Sequence, residues 1–405
     1  MAIPIRLAAT LRHFETQLAG PLENDVRRNM RVEIVSAVAY GVFMAALMFV
    51  PAVLTRMGGT PTLISVYVSL SYVGHILSST SLLVMRRISP KTFAVTSWAL
   101  GRAALVLMAL ATGTASLLVL ATVLWLLEIV PGPAYTRILQ SIYPLAHRGK
   151  IMALVRFGMA LTILVATPLI GLGLDRLGYQ AVFPLAGAVG IAAALVFVKM
   201  RIVAVPGGVP VSHSSLGAMR RVVHNRRFVM YQLGVVFFGL GALSANPLYP
   251  DVQINRLGLS YTDLGLLGLA QSISWLIGYF LWGRIIDRYG ALRCVMFTFV
   301  IQAVAPLSYA FATAGWMLLP AFIAIGLVWA GGDIGFTNAC LELSDPEHTQ
   351  EYAAAQSTII GLRGFVAPFL GVGLLGLGVS QPVVLLCSAA LVLVATLFLN
   401  RARRM

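Results

Sequence analysis

The chain has 405 residues, of which 59% are hydrophobic and 11% charged, with a mean hydropathy of +0.88 and a formal net charge of +15. A soluble domain carries about 25% charged residues, so this balance excludes an ordinary globular protein. The alternating segments of an outer-membrane barrel are absent, and the basic residues are not interleaved with aromatics as in nucleic-acid readers, so a barrel and a nucleic-acid partner are set aside.

Residues 1–31 lack the apolar stretch of a signal peptide and include Arg6, Arg12, Glu15, Glu23, Arg27 and Arg28, which reads as an N-terminal tail. Within it, residues 5–19 fit either a short amphipathic helix on the membrane surface or solvated chain. Apolar runs then follow at 32–55, 62–85, 91–112, 115–143, 150–174, 178–199, 228–250, 261–283, 291–313, 315–341, 351–377 and 381–400. Each is near the ~20 residues a bilayer requires, so about twelve transmembrane helices are predicted, an all-α polytopic membrane protein. The Pro/Gly/Ser-rich, basic stretch 201–227 reads as a linker between a first half at 32–200 and a second at 228–400, and residues 401–405 form a second tail.

The halves repeat. PLIGLG at 168–173 stands 200 residues before PFLGVG at 368–373, and RMG at 56–58 stands 200 residues before RLG at 256–258. Two segments sharing one offset point to a parallel repeat of six helices. Charge sets the orientation. Of the 29 Lys and Arg, 22 fall on the side of the tails and linker, while Arg56, Arg176 and Arg256 fall on the other. The positive-inside rule then predicts a multi-pass protein of the cytoplasmic membrane with both termini and the linker in the cytoplasm.

Cys294, Cys340 and Cys387 are far apart and the six histidines are scattered, so neither a disulfide framework nor a metal site is expected. No cofactor motif, nucleophile–base constellation or phosphate loop of the GxxxxGK[ST] type is present. An enzyme is not expected, and any driving force would come from ion or solute gradients.

Between the eighth and ninth runs stands GRIIDRYG, residues 283–290, followed by Arg293. The pattern GxxxDRxGxxR, carried by Gly283, Asp287, Arg288, Gly290 and Arg293, resembles the signature loop of the major facilitator superfamily. GLGLDRLGY at 171–179 and PLAHRGK at 144–150 resemble two further turns of that family, and the resemblance spans roughly residues 30–400. It implies a transporter of two pseudo-symmetric six-helix halves, in which this loop latches the halves on the cytoplasmic side. In physical terms Gly290 permits a positive φ, Gly283 would admit a neighbouring helix, and Asp287 would face the helix end that begins near Tyr352. A charged turn obeying the positive-inside rule is the plainer reading. The equivalent loop of the first half, LLVMRRISP at 82–90, keeps Arg87 but has Leu82, Arg86 and Ser89 at the other positions, so a one-sided latch is expected. The acidic LELSDPE at 341–347, with Asp345 before Pro346 as a helix cap, would compensate.

Ionisable groups inside a membrane cost about 2.5 kcal/mol or more each and mark candidate sites. Glu128, in EIVPGP at 128–133, stands where many family members carry an arginine. It is the candidate for proton coupling, with pairing to Arg102 as the structural alternative, and Pro131 and Pro133 should break the helix just beyond it. Asp333 and Arg363 are expected as a pair that binds or gates a substrate, or that staples two helices. Arg137 and Arg156 are placed nearer the cytoplasm, snorkelling or joining the latch. Arg102, His75, Tyr40, Asn246, Gln271 and Asn338 are candidates for substrate binding or gating, His75 also for a proton relay, with interhelical contacts as the alternative. TPLIGL at 167–172 keeps only part of the family's antiporter signature. The expected function is a monomeric secondary active transporter of a small organic solute, working by alternating access in the lipid bilayer with protons as the candidate coupling ion. Export of a drug or metabolite is preferred to uptake. An uncoupled facilitator and a transporter-shaped sensor or scaffold are the rival readings.

Overall fold

The computed structural model describes residues 22–77, 80–202, 222–345 and 347–405. The stretch 5–19 and most of the linker lie outside these residues. Among the described residues, eleven helices are long and apolar enough to cross a membrane: α1 Asn24–Arg56, α3 Pro90–Leu110, α4 Thr114–Ile142, α5 His147–Leu177, α6 Tyr179–Phe197, α7 Arg226–Arg256, α8 Tyr261–Tyr289, α9 Ala291–Phe311, α10 Gly315–Leu343, α11 Glu351–Gly376 and α12 Gln381–Arg404. The shorter apolar α2, Pro61–Leu77, takes the remaining predicted position. Among the same residues there is no strand. Helix α1 starts at Asn24, ahead of the expected limit at residue 32. Its first turns are tied to the end of α6 by Asn29, which exchanges two hydrogen bonds with the backbone of Arg201, and by an Asp25–Arg201 ion pair at 3.0 Å.

Local chemistry fixes the helix ends. Ser89 accepts from the Thr92 amide and Pro90 takes the first turn of α3. Ser260 and Asp263 form a reciprocal capping box on α8, and Asn225 caps α7. The positive-φ residues are all glycines: Gly58 and Gly258, Gly178 and Gly378, and Gly290. The first four form two pairs at the 200-residue offset seen in the sequence. Gly290 stands alone because its counterpart is Pro90, which cannot adopt that conformation. The two halves therefore turn their chains at equivalent places, except at the signature loop.

Helix α5 packs along α8 and α2 along α11, joining the halves. The polar contacts between halves gather at the end of the bundle opposite the termini, called here the far end. Asp175, at the end of α5, accepts from the Tyr261 amide at 3.1 Å, the Thr262 amide at 2.6 Å and the Thr262 hydroxyl at 2.7 Å, so it sits on the amino-terminal turn of α8. Arg56 lies 3.5 Å from Asp175, donates to the Leu259 carbonyl and covers the Tyr261 ring at 3.7 Å. Ser65 and Ser69 on α2 donate to the carbonyls of Pro368 and Phe365 on α11. Backbones meet here too: a Cβ at Gly171 would lie 2.4 Å from the Tyr261 carbonyl oxygen, and one at Gly265 3.0 Å from the Pro168 Cα. The halves are clamped together at the far end.

Candidate functional site

The site grows from a break in α4. Its helix stops at Ile129 and resumes at Gly132, because Pro131 has no amide to give the Leu127 carbonyl. The break leaves the Glu128 carbonyl exposed to a side-chain donor, and the Trp98 indole of α3 supplies it at 3.3 Å. The Glu128 carboxylate turns the same way. It takes two bonds from Arg102, Nη2 to Oε1 at 2.9 Å and Nε to Oε2 at 3.2 Å, and both side chains are under one-tenth exposed. Arg102 directs a further donor to the Gly190 carbonyl of α6 at 2.8 Å and lies over the ring of Tyr40 at 4.7 Å. Of the two readings of Glu128, the geometry takes the pairing with Arg102.

A second carboxylate, not singled out in the sequence, faces the same space. Glu33 of α1 is 2% exposed and accepts from the hydroxyls of Tyr135 and Tyr143, each at 2.5 Å. Both tyrosines stand beyond the break in α4. Glu33 gives little signal in the sequence because it is the second residue of the first apolar run and reads there as the edge of a span.

Between the two carboxylates lies a cavity of about 250 Å³, lined by residues that include Tyr40, Trp98, Tyr135, Phe197 and Arg156. Arg156 is exposed to this cavity rather than snorkelling toward a membrane surface, which corrects the expectation for it. It shares the cavity wall with Glu33, Tyr40 and Tyr135.

The second half does not assemble as expected. Asp333 on α10 accepts from the Tyr279 hydroxyl of α8 at 2.5 Å. Arg363 on α11 points to α7, where it donates to the Val235 carbonyl and lies 5.7 Å from the Phe238 ring centre. The two are therefore not a pair: Asp333 is turned to α8 and Arg363 to α7. Tyr40 stacks on Phe43 under Arg102 and belongs to the cavity wall. Gln271 is buried on the α8 face that meets Gly326 of α10. Asn338 donates to the Ile334 carbonyl of its own helix, and Asn246 opens the short break Asn246–Leu248 in α7. His75 lies beside Tyr72 and Gly361 where α2 meets α11. Arg137 is exposed and is not part of the cavity wall.

The signature loop is corrected in two places. Gly290 has φ +82°, as the tight turn requires, but a Cβ at Gly283 would meet nothing within 4 Å, so no helix presses on it. Asp287 is exposed and makes no hydrogen bond among the described residues, while Arg288 and Arg293 lie over the ring of Tyr289. The acid that meets a helix start here is Glu342, which accepts from the Ala291 amide of α9 at 3.0 Å and lies 3.9 Å from Arg227. Asp345 accepts from the Glu347 amide in the turn before α11, whose helical turns begin at Thr349, and His348 at the cap position makes no side-chain cap. Asp287 and Arg288 of the signature loop are thus exposed in a structure whose far end is clamped. Among the described residues no group of three or more potential metal ligands occurs.

The sequence profile of the Major Facilitator Superfamily matches residues 32–368 and, in a second match, 231–404. The chain belongs to this superfamily. Among solved structures, a point-mutant form of the nucleoside transporter NupG is similar at a TM-score of 0.75 and 11% identity, covering 94% of this chain and 100% of that one. A bacterial homologue of the human lysosomal transporter Spinster, inward-facing and unoccupied, is similar at a TM-score of 0.67 and 14% identity, covering 95% and 98%. At these identities the likeness is one of fold. No curated protein matches the chain. As a superfamily member it is a multi-pass membrane transporter with membrane lipid around it and a small molecule as its cargo.

Proposed function

We propose that the protein moves a small organic solute across the cytoplasmic membrane as a monomer by alternating access, its halves 32–200 and 228–400 rocking about the cavity beside α4. Both termini and the linker lie in the cytoplasm, as the basic residues require, so the far-end clamp corresponds to an inward-open state. Export is the preferred direction. A proton taken up at Glu33 couples the cycle to the proton gradient.

The observation that carries the coupling is the contrast between the two carboxylates. Glu128 is locked by two bonds from Arg102, whereas Glu33 is held by two phenols and by no cation at hydrogen-bond distance. On protonation Glu33 becomes a donor. The oxygen that carries the proton accepts more weakly, so the bond from one of Tyr135 and Tyr143 is weakened or reversed. Both tyrosines belong to the chain beyond the α4 break, so a proton on α1 loosens that segment against α1. This gives proton occupancy a differential contact with two conformations, which population shift demands.

The test uses protein in liposomes with an imposed pH gradient and a panel of labelled sugars, organic anions, amino acids and lipophilic cations. Wild type accumulates one class against its gradient. Glu33→Gln keeps downhill exchange of that class within a few-fold but loses gradient-driven accumulation at least tenfold. Undiminished accumulation by Glu33→Gln would sink the assignment, and an uncoupled facilitator would show no accumulation in either protein.

A further inference from the structure

The cavity's unmet chemistry lies in its donors. Its acids are engaged: Glu33 by two phenols and Glu128 by the Arg102 fork. Arg102 is likewise committed, to Glu128 and to the Gly190 carbonyl. Arg156 differs. It stands on α5, the helix that joins the halves, is exposed to the cavity, and has neither hydrogen bond nor ion pair among the described residues. A guanidinium offers five N–H donors in a planar fork that matches a carboxylate.

The surfaces around it are flat and apolar. Trp98 meets Tyr135 and Phe197 edge to face, with ring centres 5.8 Å and 5.3 Å away, and these three rings with Tyr40 and Met159 line the same space. Such a wall takes a ring rather than a hydroxyl-studded sugar.

We propose that the transported solute is a compact aromatic monoanion, its carboxylate held by Arg156 and its ring against Trp98, Tyr135 and Phe197. The assignment rests on the reading of this cavity as the transport site. It names the class of solute and leaves the proton site aside. Because Arg156 stands on α5, which packs along α8 of the opposite half, the bound anion lies on the helix at which the halves meet.

The experiment is equilibrium binding to the purified full-length chain in lipid nanodiscs. The probes are benzoate and indole-3-acetate, their uncharged amides, benzylamine, benzenesulfonate and uridine. The carboxylates should bind at least tenfold more tightly than their amides, the margin expected of a charge-assisted pair. Arg156→Gln should erase that preference while leaving the weak amide affinity unchanged, and Arg156→Lys should restore part of it. Equal binding of acid and amide, tighter binding of benzylamine or uridine, or full carboxylate affinity in Arg156→Gln would each overturn the proposal. Preference for benzenesulfonate over benzoate would overturn the carboxylate and leave the anion. Glu33→Gln separates the two readings: carboxylate binding retained there with coupling unaffected removes the proton assignment alone, whereas loss of the acid–amide preference only in Arg156→Gln supports the anion.

Discussion

At the scale of single residues, the buried Arg102–Glu128 pair carries an asymmetric cost. Both charges are desolvated, and each satisfies the other with help from the Gly190 carbonyl and the Tyr40 ring. Removing one partner strands the other. Arg102→Met or Glu128→Leu alone should each lower stability by about 3–5 kcal/mol, while the double substitution should recover most of that loss. Thermal unfolding of the three variants in detergent checks this. Additive losses in the double variant would show that the two residues act separately. Glu33 makes the opposite case, since its partners are neutral phenols. For that residue the conservative Gln variant should fold normally and change coupling.

At the scale of helices, the sequence is informative about what lies along a helix and silent about what lies around it. Apolar run length sets the spans, because a bilayer imposes a minimum, and the proline pair after Glu128 marks the α4 break. Positive φ at Gly290 follows from the demands of a short turn. Depth along a helix is readable from residue number, but the direction a side chain faces depends on how helices rotate as they pack. This is why depth alone brings Asp333 and Arg363 together although they are apart, and why Gly283 lacks the neighbour its motif implies. Arg156 shows the same gap: its depth suggests the membrane surface, whereas its direction puts it in the cavity. The α5–α8 contact is one of backbones, with no room at Gly171 for a side chain against Tyr261. Gly171→Leu should therefore wedge the far end apart. Spin labels at Thr112 and Thr313, exposed in the far-end loops of the two halves, should show a longer distance in the variant; an unchanged distribution would mean that the helices can yield.

At the scale of the whole molecule, the two ends are asymmetric in this state. The far end is joined by Asp175 on the α8 amino terminus and by Arg56 across the gap. At the linker end the signature-loop residues Asp287 and Arg288 are exposed. The clamp at Asp175 combines charge with the positive end of a helix, an interaction of about 0.3–2 kcal/mol together with its hydrogen bonds. Asp175→Asn should weaken it and raise the amide exchange rates of Tyr261 and Thr262 several-fold, as measured by hydrogen–deuterium exchange. Rates equal to wild type would show that the backbone contacts alone hold the far end.

Those backbone contacts have a bioenergetic consequence. Where glycine lets one main chain rest on another, at Gly171 and Gly265, no side chain stands between the two helices. In the proposed cycle a proton on Glu33 meets packed main chain at these two points rather than a gap between side chains. Close packing of that kind is what a carrier needs if it is to draw on the membrane's ion battery only when its halves rock.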